Sequence, residues 1–256
     1  MQDTAIKVRS IHKAVHILEL MAAAGQPMAL RDLSRISGYP KSTLYGLISS
    51  LRELGLVEQS SLDGRYRLGM HLFELGCSVC SGLDVTAVGR PYLQSLAERT
   101  GETAFLATQD RSDTIILEQV ETSNPLRVAM TIGSRMPLTA TSQGKVFLAY
   151  HEPLLRQALR GGLTAYTPHS IVDEGALLAE CKTIRENGYA IENGEYRVGL
   201  RAVSAPIFGS TGEMQYTIGT VGMFRKIQSE EFTEATRLVT EAAKSISHTL
   251  GWRKEK

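Results

Sequence analysis

The chain has 256 residues, of which 43% are hydrophobic and 21% charged, values typical of a globular protein with two domains. No apolar run approaches the roughly 18–20 residues that a membrane helix needs, and the N-terminal segment lacks the apolar core of a signal peptide. The three cysteines (Cys77, Cys80 and Cys181) are too few for a disulfide framework. We therefore expect a cytoplasmic protein without membrane contact.

The positive charge is concentrated in the first part of the chain. Residues 1–70 contain nine Lys or Arg and six Asp or Glu, whereas the remainder contains 19 basic and 21 acidic residues. The net charge of +1 therefore divides into +3 and −2. This asymmetry places any phosphate-binding surface in the first segment.

Three short helices are predicted at the start of the chain. The first has apolar residues at helical spacing over 11–22, with Ser10 as the expected N-cap and Gly25 as its stop. The second turns residues 30, 33 and 36 inward, and the third begins at Lys41 after a turn that contains Gly38. Two short helices joined by such a turn are typical of a helix-turn-helix.

A two-stranded wing is predicted directly after the third helix. Residues 55–59 and 65–68 favour strands, and Asp63-Gly64 between them is a strong hairpin turn. We expect residues 1–69 to form a winged helix-turn-helix that binds double-stranded DNA. The alternative for the wing is an ordinary charged hairpin.

The exposed face of the third helix is short, polar and nearly free of acidic residues, as the major groove favours. A helix that is merely solvated is the alternative. Gly46 lowers helix stability by about 1 kcal/mol relative to Ala, which close approach to DNA justifies. The predicted DNA-binding residues are Arg9, Arg35, Lys41, Ser42, Thr43, Tyr45, Gly46 and Arg65.

A linker helix is predicted over residues 70–85. Its apolar positions Leu72, Phe73, Leu75 and Val79 need a partner, and a second copy of the chain meets that need. The single C-x-x-C motif lacks the second pair of ligands that a zinc site requires, so we interpret both cysteines as buried small residues. We expect no cofactor and no metal.

Residues 86–256 alternate between predicted strands and helices. Strands are predicted over 103–108, 114–120, 126–132, 201–208 and 215–223, and helices over 90–100, after 141–142, over 174–187 and from 229. This order favours an α+β domain with a curved, mainly antiparallel sheet that holds a pocket. The helix start after Thr141 predicts either a carboxylate site or plain capping.

Catalytic motifs are absent from the sequence. It has no nucleophile elbow, phosphate-binding loop or paired metal-binding histidines, and its six histidines are scattered. We expect no catalytic residues. An enzyme with an appended winged helix, and a winged helix used for protein contacts, stay open as alternatives.

Several runs occur in a characteristic order. They are Lys41-Ser42-Thr43, Tyr66-Arg67-Leu68-Gly69, Gly133-Ser134-Arg135-Met136-Pro137-Leu138, Ser142-Gln143-Gly144-Lys145, Gly199-Leu200-Arg201 and Ala205-Pro206-Ile207-Phe208. With these runs the chain resembles the IclR family of transcription regulators over about residues 11–250. The resemblance implies a GAF-like α/β effector domain, dimers that pair into tetramers, palindromic operators and small organic acid effectors.

The resemblance also implies an effector pocket. Its residues are Val128, Met136, Ser142, Gln143, Gly144, Glu192, Ala202, Gly219 and Val221. Ala202 stands where the family commonly has Cys, Glu192 where Asp is usual, and Gly219 and Val221 where sensors of small acids carry serines. Because each lost hydroxyl removes a hydrogen bond worth about 1.5–3 kcal/mol, we expect a larger and more apolar acid than glyoxylate or pyruvate. We expect a regulator, more often a repressor, of a catabolic operon.

Overall fold

The computed structural model describes residues 8–81, 84–122, 124–125 and 127–253. Backbone contacts divide the chain into two compact units between residues 83 and 84. The first unit contains α1 (Arg9–Ala24), α2 (Leu30–Ser37), α3 (Lys41–Glu53), β1 (Val57–Gln59), β2 (Tyr66–Leu68) and α4 (Met70–Ser81). The predicted order of three helices, a two-stranded wing and a further helix is confirmed.

The first unit has a small core that fixes the wing to the helices. The most deeply buried side chains of this core are Ile17, Leu33, Leu44 and Val57. Met28, in the loop between α1 and α2, exchanges two backbone hydrogen bonds of 2.8 Å with Tyr66 of β2. The wing is therefore held by both backbone pairing and apolar packing.

The predicted apolar face of α1 coincides only in part with its core face, since Leu18 packs against the core. Ile11 and Val15 are 62% and 46% exposed, whereas Ile17 and Met21 are buried. The helix carries apolar residues on two faces, and spacing alone does not identify which one meets α2 and α3. Ile36, predicted to face inward, is likewise 50% exposed.

The predicted N-cap and the predicted stop of α1 have different outcomes. Val8, not Ser10, occupies the N-cap position and makes no side-chain cap. Gly25 ends the helix with φ at 62°, a left-handed conformation that glycine adopts at low cost. The predicted stop is therefore confirmed and the predicted cap is wrong.

The second unit is an α+β domain, as predicted. Its elements are α5 (Asp84–Thr100), β3 (Thr103–Asp110), β4 (Asp113–Val120), β5 (Arg135–Pro137), α6 (Ser142–Tyr150), α7 (Glu152–Gly161), α8 (Glu174–Asn187), β6 (Ala190–Asn193), β7 (Arg201–Phe208), β8 (Met214–Gly222) and α9 (Glu230–Thr249). The strands form one antiparallel sheet in the order β5-β4-β3-β8-β7-β6. β7 is buried along nearly its whole length, because α6 and α9 both pack against it.

One predicted strand is wrong. Residues 127–132 form no strand, and residue 126 lies outside the described part of the chain. The backbone there is held instead by single contacts, such as the hydrogen bond of 2.7 Å from the Thr103 hydroxyl to the Val128 carbonyl. Val128 and Met130 pack on a cluster of sheet residues. Their apolar character therefore reflects that packing, and the strand that pairs with β4 is the later β5.

Other differences concern element boundaries. The helix predicted from residue 90 begins at Asp84 and contains Pro91, and the four-residue strand β6 was not predicted. The side chains of Cys77 and Cys80 lie outside the described part of the chain. Among the described residues, no helix is long and apolar enough to cross a membrane, and no three His, Cys, Asp or Glu cluster as metal ligands.

Candidate nucleic-acid interface and ligand cavity

The outer face of α3 presents the predicted polar surface. Leu44, Ile48 and Leu51 are buried and fix the rotation of the helix. The opposite side exposes Lys41, Ser42, Tyr45, Gly46 and Ser49, while Thr43 is half-buried. The helix has no acidic residue in its first turn. These are the features that a major groove favours, namely hydrogen-bond donors and a base with no carboxylate in the first turn.

Among the residues that the structure describes, none requires a glycine at position 46. A Cβ atom placed on Gly46 meets no atom within 4 Å, and its backbone is ordinary helix. Alanine fits this position and favours the helix by about 1 kcal/mol. Close approach of DNA at this position stays a prediction.

The basic residues predicted to bind DNA differ in whether they already form an ion pair within the protein. Lys41 and Arg9 have no ion pair within the described residues. Arg65 lies 3.6 Å from Asp63, and Arg35 lies 3.9 Å from Asp32. Because these pairs are long and exposed, they contribute little and are easily exchanged for phosphate.

Arg67, the other arginine of the wing, already forms an ion pair within the protein. Its guanidinium donates to Glu58 of the facing strand at 2.8 Å, and this contact lowers the pKa of Glu58. The wing thus offers Arg65 rather than Arg67 to a ligand. β1 packs against α3, which sets the wing beside the helix that carries the polar face.

The second unit contains a cavity of about 550 Å³. Its residues come from the segment between β4 and α6, from the sheet and from the turn between β6 and β7. The lining residues are Phe105, Arg127, Val128, Ala129, Met130, Thr131, Ser134, Arg135, Met136, Thr141, Gln143, Glu192, Tyr196, Arg197, Leu200, Ala202, Val221 and Met223. The size and mixed lining are those of a site for a small organic molecule.

Six of the nine predicted pocket residues line this cavity. They are Val128, Met136, Gln143, Glu192, Ala202 and Val221. The first two and the last two belong to an apolar wall that also contains Phe105 and Met130. Gln143 and Glu192 are only 2% and 5% exposed, so the polar groups of the cavity are deeply placed.

The structure does not place Ser142, Gly144 or Gly219 on the cavity wall. The Ser142 hydroxyl bonds to the Ser204 hydroxyl at 2.8 Å, behind the lining. A Cβ on Gly144 falls 2.3 Å from the Leu138 carbonyl oxygen, so glycine allows the start of α6 to pack closely. These residues support the wall rather than form it.

Gly219 of β8 lies next to an aromatic ring on the neighbouring strand β3. It pairs with Phe105 of β3, and a Cβ on it falls 2.7 Å from the tip of that ring. It also falls 2.5 Å from the Ser204 hydroxyl oxygen. The missing side chain at this position is therefore replaced by the Phe105 ring, which supplies apolar surface to the cavity.

The start of α6 is capped in the plain way. The Thr141 side chain accepts a hydrogen bond from the Gly144 N–H at 3.2 Å, and its hydroxyl donates to the Pro137 carbonyl at 2.7 Å. Capping was one of the two predictions for this helix start, and a carboxylate site was the other. Thr141 nevertheless reaches the cavity wall with Gln143.

Glu192 is the acidic group of the cavity. One of its oxygens accepts the Tyr196 N–H at 3.2 Å. Burial raises the pKa of Glu192 to about 7, and the charge of Glu195 adds to this effect while Lys145 opposes it. The side chain thus changes charge near neutral pH.

A buried ion cluster lies behind Glu192 and was not predicted. The Lys145 ammonium, 1% exposed, donates to Glu195 at 2.7 Å and to Glu180 at 2.9 Å. Burial raises the pKa of Glu195, and the charge of Lys145 opposes that shift. The cluster joins α6 to α8 and to the turn after β6. Nothing in the Ser142-Gln143-Gly144-Lys145 run distinguishes this lysine from a solvated one.

Sequence reasoning also missed three arginines on the cavity. Arg127 pairs with Glu121 at 2.5 Å, and Arg135 pairs with Asp110 and, at 3.5 Å, with Asp113. Arg197 lies over the Tyr196 ring at 5.4 Å from its centroid. These residues come from loops and a short strand, where no periodicity shows which way a side chain points.

Comparisons with known proteins agree with this architecture. Residues 10–61 match the model of the IclR helix-turn-helix domain, and residues 77–248 match that of the bacterial transcriptional regulator IclR C-terminal domain. The transcriptional repressor IclR of Escherichia coli K12 is 31% identical over 249 residues, which cover 96% of this chain and 91% of that one. The acetate operon repressor of Salmonella typhimurium LT2 is 30% identical over the same shares.

Solved structures give the same result. An IclR transcriptional regulator from Alicyclobacillus acidocaldarius superposes with a TM-score of 0.82 at 30% identity, covering 96% of this chain and 100% of that one. The Thermotoga maritima IclR superposes with a TM-score of 0.79 at 28% identity, covering 95% and 99%. The chain belongs to the IclR family and is a DNA-binding transcription regulator, not an enzyme.

Proposed function

We propose that the protein represses a catabolic operon in the cytoplasm by binding a palindromic operator, and that a small organic acid in the cavity releases it. The observation that carries the DNA-binding part is the face of α3, which is polar and exposed, has no acidic residue in its first turn, and carries a glycine that local packing does not require. The domain boundaries that go with this proposal are 1–69 for DNA binding, 70–85 for the linker and 86–256 for the effector and oligomerisation domain.

The roles of the DNA-binding residues follow from their positions. Lys41 lies in the first turn of α3, where its charge adds to the positive end of the helix dipole in binding phosphate. Ser42, Thr43 and Tyr45 lie on the same turn and are assigned to base edges or phosphates. The wing residue Arg65, together with Arg9 and Arg35, is assigned to the backbone.

Dimerisation is assigned to α4. Its side chains Met70, Phe73 and Leu75 are 64%, 67% and 49% exposed, which leaves large apolar side chains in contact with water on a helix of the first unit. A second copy of the chain buries such side chains and presents two α3 helices to successive turns of DNA. The pairing of dimers into tetramers is proposed from the family alone.

The effector is proposed to be larger and more apolar than glyoxylate or pyruvate. The walls of the cavity are made largely by Phe105, Met130, Met136 and Val221. The proposed contacts are Val128, Met136, Gln143, Glu192, Ala202 and Val221, with Ser142, Gly144 and Gly219 supporting them. Tight binding of glyoxylate or pyruvate in isothermal titration contradicts this assignment.

A gel-shift titration tests the whole proposal. Purified protein is mixed with the intergenic DNA upstream of its own gene, over a range of salt concentrations and with a panel of organic acids. We expect a specific shift with a palindromic footprint that one acid abolishes, and a steep loss of affinity with salt. Absence of any specific shift, followed by genome-wide selection that recovers no bound fragment, contradicts it.

A further inference from the structure

We propose that Arg197 binds the carboxylate of the effector and that Glu192, on the preceding strand β6, excludes a second negative charge, so that the cavity selects monocarboxylic acids over dicarboxylic acids. This inference rests on the proposed function, in which the cavity takes an organic acid. Beyond that function, it names Arg197 as the residue that binds the acid and a single negative charge as the charge that the cavity accepts.

Arg197 is the available cation of the cavity. The other two arginines on its wall, Arg127 and Arg135, are already paired with carboxylates of the chain. Arg197 has no carboxylate partner among the residues that the structure describes, although it is exposed at the cavity. An arginine whose charge is not yet balanced gains most from binding a carboxylate, because its planar donors match both oxygens.

The turn that carries Arg197 is held on both sides. Gly194 N–H donates to the Leu200 carbonyl at 2.9 Å, and Leu200 N–H donates to the Arg197 carbonyl at 3.1 Å, which closes the turn between β6 and β7. The hydroxyl of Thr167 donates to the Gly194 carbonyl at 2.7 Å. The backbone of Arg197 is therefore positioned before any ligand arrives.

The side chain of Arg197 is oriented by an aromatic pair. Its guanidinium lies 5.4 Å from the centroid of the Tyr196 ring, which in turn meets the Tyr166 ring edge to face at 5.3 Å. A contact between a guanidinium and an aromatic face does not use the N–H donors of the guanidinium, so they stay able to donate hydrogen bonds. The arrangement leaves the guanidinium able to bind an anion without breaking an ion pair.

In its ionised form, Glu192 gives the cavity a negative end. It is 5% exposed, and one oxygen accepts the Tyr196 N–H, so the same turn fixes both the acid and the cation. The charges that act on it are those of Lys145 on α6 and Glu195 on the turn, and Lys145 already pairs with Glu195 and with Glu180 on α8. A second carboxylate beside Glu192 therefore meets repulsion with no free cation to offset it.

The test uses the full-length protein and acids of matched shape. The probes are benzoate and cyclohexanecarboxylate, the dicarboxylates phthalate and terephthalate, and neutral benzamide. Binding is measured by isothermal titration at about pH 8, above the pKa of about 7 to which burial raises Glu192, so that its carboxylate is ionised. We expect the monocarboxylates to bind more tightly than the dicarboxylates. Arg197→Gln is expected to weaken monocarboxylate binding about 10- to 100-fold and to leave benzamide binding unchanged, which a merely structural role does not predict.

Two further variants serve as controls. Arg127→Gln removes a cavity arginine that is already paired with Glu121, and we expect less than about a threefold change in Kd. Glu192→Gln keeps an acceptor for the Tyr196 N–H but removes the charge, so dicarboxylates are expected to gain on monocarboxylates.

The outcomes separate this inference from the proposal it rests on. Equal effects of Arg197→Gln and Arg127→Gln on a bound acid overturn the role of Arg197 and leave the organic-acid effector in place. Dicarboxylates that bind the unmodified protein more tightly overturn the role of Glu192. Binding of benzamide but of none of the acids overturns both the organic-acid effector and this inference.

Discussion

The two candidate sites of this protein are built in opposite ways. The surface of α3 is made by consecutive residues of one helix, and its functional groups are exposed. The cavity is made by residues from Phe105 in β3 to Met223 beyond β8, and its polar groups Gln143 and Glu192 are almost inaccessible. The first site depends on helix periodicity, and the second depends on the order of strands in a sheet.

This difference determines what a substitution does. A change on the exposed face of α3 alters binding while the core beneath it, made by Leu44, Ile48 and Leu51, stays packed. A change at the cavity alters packing, desolvation and charge together, because its side chains also hold the sheet. Binding and stability should therefore separate at the first site and move together at the second.

The largest effect is expected at the buried ion cluster. Lys145→Met keeps much of the aliphatic chain but leaves Glu195 and Glu180 without their cation. Removal of one partner from a buried pair costs about 3–5 kcal/mol of unfolding free energy, measured by urea denaturation of the full chain.

The matched control for that substitution is Arg156→Met. Arg156 pairs with Glu152 at 3.0 Å, but both side chains are more than half exposed. We expect hardly any change in stability for it. Equal losses for the two variants contradict the view that burial makes the Lys145 cluster important.

Lys145 also illustrates what the sequence leaves open. The exposed face of α3, the wing and the antiparallel sheet were predicted correctly, because helix spacing, turn residues and the order of strands and helices determine them. Lys145 and Arg197 were missed, because their surroundings are set by residues far away in the chain, such as Glu180 on α8. Gly219 was assigned to the pocket by resemblance, and only the sheet register reveals that the Phe105 ring occupies its place.

The next effect concerns pH and Glu192. Burial raises its pKa from 4.5 to about 7, so the folded state holds this proton more tightly than the unfolded state does. Its contribution to stability is therefore present below about pH 4.5 and is lost as pH rises toward 7, by roughly 1.4 kcal/mol per pH unit at most. The measurement is the free energy of unfolding of the unmodified protein minus that of Glu192→Gln, at several pH values. A difference that stays constant between pH 4.5 and 7 contradicts the buried, protonated state.

Gly219→Ser tests the packing of the cavity wall. The new Cβ falls 2.5 Å from the Ser204 hydroxyl and 2.7 Å from the Phe105 ring, so we expect a loss of about 1–3 kcal/mol in stability and no gain in glyoxylate binding. Ala202→Ser is the control, because Ala202 lines the cavity directly. Thermal denaturation and titration with glyoxylate measure both effects. A stable Gly219→Ser variant that binds glyoxylate contradicts the close packing.

Because the proposed DNA-binding residues of α3 are largely exposed, we expect substitutions there to change DNA binding with little change in the free energy of unfolding. Thr43→Ala and Tyr45→Ala are expected to weaken specific binding by about 1–3 kcal/mol and non-specific binding less. Arg65→Ala is expected to weaken both equally and to flatten the dependence on salt. Gel shifts on operator and random DNA over a salt series measure these effects. The reverse order shows that the base-reading and phosphate-binding roles are exchanged.

The smallest effect separates stability from function most sharply. Gly46→Ala meets no atom within 4 Å, so it is expected to raise the free energy of unfolding by about 0.5–1 kcal/mol while it weakens DNA binding. Gly161→Ala is the control, since Gly161 ends α7 in the second unit with equally open space. It should add stability, by less at a helix end, and leave DNA binding unchanged. If Gly46→Ala instead binds operator DNA as tightly as the unmodified protein, the glycine is not required by the nucleic acid, and the face of α3 lies farther from the groove than we infer.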